Sequence, residues 1–175
     1  EIGDCVAAAG VRKLLLFNAH GGQVGLMDIV GRDLRARHDM IVYHSNWYDL
    51  PLDDAAMAPF SPAERRFGVH AGDIETSMML AIRPAQVDMA QARDFPSTSQ
   101  QRAQDYPILG NGKSARLAWQ MQDYNPQGAA GNAAAATADK GDALRASAGT
   151  QLALLLAELS RLPLSTLVDK PAFPH

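Results

Sequence analysis

Two histidines hold most of the chemistry this sequence could perform. His20 lies in Asn18-Ala19-His20-Gly21-Gly22, directly after the apolar residues 14–17 and before a helical pattern. An imidazole in such a turn can ligate a metal, shuttle a proton or close a local hydrogen-bond network, and the residues alone leave all three open. Asn18 can orient the turn through its side chain without touching a substrate. Gly21 and Gly22 permit a tight turn, or a close backbone approach that a Cβ would obstruct. The second group is His70-Ala71-Gly72-Asp73-Ile74-Glu75-Thr76-Ser77. Gly72 gives the chain freedom to turn before a helix, and Asp73 is accounted for by the favourable position of an acid in a first helical turn. Glu75 asks for more, because a carboxylate buried near a cation gains a partner while one buried alone is costly. A turn between His70 and Glu75 could aim both at one pocket.

These residues need elements to position them. Residues 14–17, Leu-Leu-Leu-Phe, read as a short strand buried on both faces of a parallel sheet, which places His20 at its carboxyl edge. Ligands of open α/β sheets bind outside that edge. Leu26, Ile29, Val30 and Leu34 then recur at helical spacing, and residues 40–44, Met-Ile-Val-Tyr-His, return as a second strand. Ahead of the first strand, Ile2, Val6, Ala7 and Val11 resemble the end of an amphipathic helix with Gly10 at its exit. The chain therefore starts within an αβ unit, and a missing or processed upstream segment is expected. Just beyond the second strand, Trp47 could wall a substrate pocket, although its composition alone favours an ordinary partly buried core residue.

Residues 49–66 read as a loop with a short helix starting at Ser61-Pro62-Ala63-Glu64, a polar cap followed by proline. Asp53 and Asp54 could attract a cation, but solvated loop acids are the favoured reading. Residues 87–106 look polar and irregular, and a short apolar or helical stretch is expected near residues 117–121. Gly110-Asn111-Gly112-Lys113 lacks the spacing of a phosphate loop, which gives nucleotide binding little support. After a turn at residues 125–131, a last helix starts near Thr137. Leu152, Leu155, Leu156, Leu159 and Leu162 form its packing face, and Pro163 stops it.

Composition narrows the class. The 175 residues are 47% hydrophobic and 20% charged, with a formal net charge of −3 and basic residues dispersed among acids. That balance argues against a nucleic-acid surface. Cys5 is the single cysteine. It cannot form an internal disulfide, so a cytoplasmic, reducing setting is expected. No apolar run approaches bilayer length, and the start lacks a basic leader followed by a hydrophobic region, so no membrane role is expected.

Taken in order, Asn18 to Gly22, His70 to Ser77 and the Asn125-Pro126-Gln127-Gly128 turn resemble the creatininase, or creatinine amidohydrolase, family. The resemblance covers the chain from its first helix to about Leu162. It implies an α/β protein with a three-layer α/β/α fold and a mostly parallel central sheet, often a homohexamer. It further implies a binuclear zinc or manganese centre that activates water against a cyclic amide or another C–N bond of a small-molecule substrate. By motif, His20 is implied as a metal ligand, Glu75 as an acid supporting the site, either beside the metal or directly on it, and His70 as the proton-transferring or substrate-contacting residue. Trp47 falls in the corresponding aromatic region after the strand, which raises its pocket role. Asn18, Gly21, Gly22 and Gly72 shape the turns.

Two departures qualify the resemblance. The family's upstream Glu-x-His and Asp, which supply much of the metal site, have no counterpart here. Gly22 also stands where creatinine-hydrolysing members carry glutamate, which points to the broader family. Residues 1–175 are accordingly expected to be the C-terminal portion of one domain whose N-terminal part is missing, with 163–175 as a tail. An upstream segment or chain would complete the site. By itself this chain is expected to bind metal weakly and hydrolyse little. An inactive fragment or a non-enzymatic homo-oligomerisation module is the alternative.

Overall fold

The computed structural model describes residues 1–172; the last three residues of the expected 163–175 tail lie outside them. The elements run α1 (Ile2–Ala8), β1 (Lys13–Asn18), α2 (Val24–His38), β2 (Ile41–Asn46), α3 (Asp54–Met57), α4 (Pro62–Phe67), α5 (Asp73–Ile82), β3 (Asp94–Phe95), α6 (Thr98–Asp105), β4 (Gly131–Asn132) and α7 (Ala138–Arg161). They divide between two compact units, one formed by Glu1–Leu52 with Ala148–His175 and the other by Asp53–Ser147.

In the first unit β1 and β2 pair in parallel, from Lys13 opposite Ile41 to Asn18 opposite Asn46. The strand–helix–strand order expected from the sequence is present. Burial of β1 on both faces is not: Leu14, Leu15 and Leu16 are half-buried, and Phe17 is 42% exposed. The reason is that, among the described residues, β1 has a strand partner on one side only. The packed face of α2 also differs from the expected stripe. Leu34 is buried, as expected, but Leu26 and Ile29 are 61% and 65% exposed. Val24, Met27, Gly31 and Leu34 turn inward instead, at the same helical period. Gly31 is buried on that face, facing Val42, whose Cγ1 would lie in ordinary contact, 3.5 Å, with a Cβ placed there.

Gly10 has φ +82°, and its N–H reaches Ala7 O at 2.9 Å, so it closes α1 as expected of a left-handed glycine. Asp4 ties α1 to α2, accepting from His38 Nε2 at 2.7 Å and from Arg37 Nη1 at 2.6 Å. His38 first and then Arg37 hold its carboxyl well below the usual carboxylate range. The end of α7 returns to this unit. There Leu159 is buried, Leu152, Leu155 and Leu162 are half-buried, and Leu156 is exposed.

The second unit starts with short helices. Ser61 Oγ accepts the Glu64 N–H at 3.0 Å with Pro62 in the first turn, so α4 starts where its cap and proline place it. α5 packs through small and polar residues: Asp73, Thr76 and Ser77 are buried, three and four residues apart. The start of α7 meets this face. Lys140 Nζ donates to Asp73 Oδ2 at 2.8 Å and to Ala135 O at 2.8 Å, while Ser77 Oγ donates to Asp73 Oδ1 at 3.1 Å and accepts Thr137 N–H at 3.1 Å. A side chain at Gly141 would collide with the Ser77 carbonyl, so the glycine that weakens helix propensity permits the close approach. Asp73 therefore has a specific cationic partner beyond the helix end.

Residues 87–106 are more ordered than expected. Ser97 caps α6, its Oγ accepting the Ser99 N–H at 3.2 Å, and β3 pairs antiparallel with β4. Of the apolar or helical stretch expected near residues 117–121, no α-helix forms; the segment is irregular until a 3-10 turn at Met121–Asp123. No helix among the described residues is long and apolar enough to cross a membrane.

Candidate functional site

His20 follows β1 with extended backbone, φ −134° and ψ 130°, and its main chain is clamped from both sides by Asn18. Asn18 Oδ1 accepts the His20 N–H at 3.1 Å and Asn18 Nδ2 donates to His20 O. The clamp is itself held. Asn18 Nδ2 donates to Asn46 Oδ1 at 2.6 Å, Asn46 Nδ2 donates to Asp49 Oδ2 at 2.6 Å, and Gln23 Nε2 donates to Asn18 Oδ1 at 2.7 Å. Both asparagines are buried, at 2% and 3% exposure. The orientation of each amide follows from the ends of the chain. Ionised Asp49 only accepts, which turns Asn46 Nδ2 toward it, and the His20 N–H only donates, which turns Asn18 Oδ1 toward the turn.

The glycines beside His20 differ in what they allow. Gly22 leaves room for the imidazole, since a Cβ there would lie 3.0 Å from His20 Nε2. At Gly21 a Cβ would meet Tyr48 Oη at 3.5 Å, ordinary contact, and φ is not positive at either residue. Trp47 opens the 3-10 turn Trp47–Asp49, half-buried, with its ring edge-on to Tyr48 at 5.8 Å.

In the second unit the turn between His70 and α5 brings His70 Nδ1 to 3.5 Å from Glu75 Oε2. The same carboxylate oxygen accepts the Ala71 N–H at 2.9 Å, so Glu75 reaches back over the helix start as in a capping box displaced by one residue. The Glu75 carboxylate is thus a partner for a proton carried on Nδ1. The reversal falls on Ala71, with φ +51°, rather than on Gly72, whose backbone is extended. Gly72 is required for space. A Cβ there would collide with Glu64 Oε1, and one at Gly131, φ +136°, would lie 2.7 Å from Glu64 Oε2.

Glu64 is 6% exposed, and its two oxygens accept the N–H groups of Ile74 at 3.1 Å and Asn132 at 2.9 Å. It thereby pins α4 to the start of α5 and to β4. His70 is fixed further by its main chain, since Ala130 N–H donates to His70 O at 2.8 Å just after the Asn125 turn. In that turn Asn125 Oδ1 accepts the Gln127 N–H at 2.8 Å and Gly128 has φ +80°. The ring of Trp119 lies 6.0 Å from that of His70 and 5.1 Å from that of Tyr124.

Sequence reasoning did not reach Asn46, Asp49, Glu64 or Trp119. The register of two parallel strands signals Asn46, because matching strand ends at Asn18 puts it alongside. Gly68, Gly72 and Gly131, converging on one acid, signal Glu64 only once the fold is known. Trp119 lies in an irregular segment and has no periodic signal.

His20, Asn18, Gly21, Gly22 and Trp47 belong to the first unit; His70, Gly72 and Glu75 belong to the second. Among the described residues no group of three or more His, Cys, Asp or Glu side chains could hold a metal ion. The donors named from the sequence, His20 and Glu75, therefore do not by themselves fit a catalytic metal, which ordinarily takes about three protein ligands.

The creatinine amidohydrolase (creatininase) family model matches residues 1–156, and the chain belongs to that family. Solved structures share the fold. A Bacteroides fragilis protein assigned as a creatinine amidohydrolase superposes with a TM-score of 0.69 at 24% identity, over 93% of this chain and 60% of that one. A glutamate-to-glutamine creatininase mutant of zinc–zinc type gives 0.63 at 22% identity, over 90% and 60%. A manganese creatininase gives 0.62 at 23% identity, over 90% and 60%. The chain thus spans about 60% of the length of these structures. Among curated proteins none matches it.

Proposed function

We propose that the protein is a metal-dependent amidohydrolase that cleaves a C–N bond in a small cyclic amide or a related substrate. The observation that carries this is the His70–Glu75 pair, 3.5 Å apart, inside the family-matched region. His70 is the proton-transferring group and a substrate contact, held by its main-chain bond to Ala130 and by the Glu75 carboxylate at Nδ1, and Trp47 is proposed separately as a substrate-binding residue of the first unit. His20 and Glu75 are each proposed to ligate a divalent metal, zinc or manganese, with the remaining donors unassigned. The named zinc and manganese forms of relatives support that choice. Asn18, Gly21, Gly22 and Gly72 shape the two turns.

The proposal extends to a three-layer α/β/α architecture, with residues 1–175 as the C-terminal portion of one domain and 163–175 as its tail. It includes a homo-oligomer, a hexamer by family resemblance, working in the cytoplasm, a setting that the lone Cys5 suits. A second reading, a non-enzymatic homo-oligomerisation module, is favoured by the exposed Leu26 and Ile29 on α2.

The test is hydrolysis of a panel of cyclic and linear amides by the protein supplied with zinc or manganese, alongside His70→Gln. Turnover that falls on the order of a hundredfold in the variant, with unchanged thermal unfolding, is expected. Absence of hydrolysis across the panel, or a fully active His70→Gln, overturns the enzymatic reading.

A further inference from the structure

A cleft of about 450 Å³ in the second unit is bordered by Arg66, Phe67, Arg102, Lys113, Arg116 and Tyr124. Its charge is one-sided: four cationic side chains face it, and no Asp or Glu is among the described residues that line it. Elsewhere the basic residues are mixed: five lie beside an aspartate, while Arg12 and Lys13 donate to main-chain carbonyls instead. Arg32, Arg35, Arg37, Arg145 and Lys140 each lie within 4 Å of an aspartate oxygen, whereas none of the four cleft cations has a carboxylate at that distance among the described residues. In a chain of net charge −3 this gathering stands apart.

The cations are also placed. Arg66 lies over the Phe67 ring at 4.8 Å, and Arg102 lies over the Tyr124 ring at 5.6 Å with Nη2 donating to Thr98 Oγ1 at 3.1 Å. Asn111 Oδ1 accepts the N–H groups of both Lys113 and Ser114 at 2.8 Å, and Gly112 takes φ +73°, so the loop that bears Lys113 is a built turn. Like charges crowded into a cleft repel one another and raise the local concentration of anions. Guanidinium forks match the paired oxygens of carboxylates and phosphates, and the volume suits a small molecule.

The cleft adjoins the residue proposed to be catalytic. Val69, next to His70 in the chain, lines it, and Trp119 stacks edge-on between His70 and Tyr124. We infer that this cleft anchors an oxyanion, a carboxylate or phosphate carried by the amide substrate, while the scissile C–N bond lies at His70. The inference rests on the proposed function for the word substrate, but the oxyanion site itself stands on the cleft alone.

The experiment is calorimetric titration of the full chain with inorganic phosphate and, separately, with succinate, at roughly 0.15 M salt to screen weak surface attraction. Arg66→Ala, Arg102→Gln and Arg102→Lys are compared with Arg145→Ala, whose arginine lies outside the cleft. Saturable binding is expected, weakened about tenfold or more in Arg66→Ala and Arg102→Gln, partly restored in Arg102→Lys and unchanged in Arg145→Ala. Phosphate binding alone assigns a phosphate group, succinate binding alone a carboxylate, and both together a general oxyanion site. Thermal unfolding of each variant separates lost contacts from lost fold, and Arg102→Lys keeps the test decisive if Arg102→Gln is unstable. Failure of both anions to saturate, or equal binding by all variants, overturns the inference. Binding without amide hydrolysis removes the proposed function and leaves the oxyanion site; hydrolysis of neutral amides unaffected by either anion does the reverse.

Discussion

Asn18 and Asn46, the last residues of adjacent parallel strands, stand in register and share a buried hydrogen bond of 2.6 Å. Through that bond Asn46 helps to fix which way the Asn18 amide faces in the His20 turn. Asn46→Ala should therefore destabilise the first unit by about 1–3 kcal/mol, the usual range when a buried partner is left unsatisfied. Asn46→Asp should be worse, because it sets a second carboxylate against Asp49, and it should recover as pH falls below the carboxylate range. Urea denaturation of both variants at neutral and acid pH checks the order; equal stability of the two would show that the amide orientation is immaterial.

The two glycines after His20 are predicted to behave differently. Gly22→Ala places a methyl group 3.0 Å from His20 Nε2, so the imidazole must shift. Gly21→Ala meets only ordinary contact at 3.5 Å from Tyr48 Oη. Proton NMR of the His20 ring should show a displaced resonance in Gly22→Ala and a nearly native one in Gly21→Ala. The opposite pattern would mean that the turn depends on backbone freedom at Gly21.

Lys140→Met should lower stability by about 3–5 kcal/mol, because it leaves the 3%-exposed Asp73 carboxylate without its cation. Combining it with Asp73→Leu should recover much of the loss, since removing both partners also removes the desolvation penalty. The double-mutant cycle, read by thermal unfolding, fails the prediction if the two losses simply add.

Asp4 gives the first unit an acid-sensitive clasp. Its carboxyl is held below its ordinary value, so its contribution is fully present above the pKa of an unfolded aspartate and is lost as pH falls through the lower folded value. Asp28 and Asp33 are shifted the same way, each first by its bond to an arginine, Arg32 and Arg37. Asp4→Asn should thus weaken the fold at neutral pH and make its decline in acid shallower, without abolishing it. Unfolding midpoints measured from about pH 7 down to pH 2 give the comparison; parallel curves for both proteins would refute the assignment.

Much of the frame was legible because it rests on local signals. The apolar run of β1, the Ser61-Pro62 start of α4, the Asn125 turn and the long last helix all declare themselves within a few residues. The proximity of His70 and Glu75 was legible for the same reason, since one turn joins them. What escaped depends on partners distant in sequence. Lys140 reaches Asp73 across 67 residues and Asn132 reaches Glu64 across 68, and no spacing rule connects them. α6 escaped because Thr-Ser-Gln-Gln-Arg-Ala-Gln-Asp has no apolar stripe, only a serine cap. The inward face of α2 was misjudged because Gly31, which faces Val42, adds nothing to a hydrophobic pattern.

The division of the chain also sets an order of assembly. Asp53–Ser147 is one continuous stretch, whereas the first unit joins its opening residues to Ala148 and beyond, and Lys13 Nζ reaches the carbonyl of Ser160 across 147 residues. During vectorial synthesis the middle segment can close on itself as soon as it has emerged, while β1 and β2 wait for the final helix. The loop closed by that last contact spans 147 residues, and its entropy is met late. Until then the half-built strand pair presents open apolar surface, so a ribosome stalled before Ala148 would leave a nascent chain dependent on chaperones.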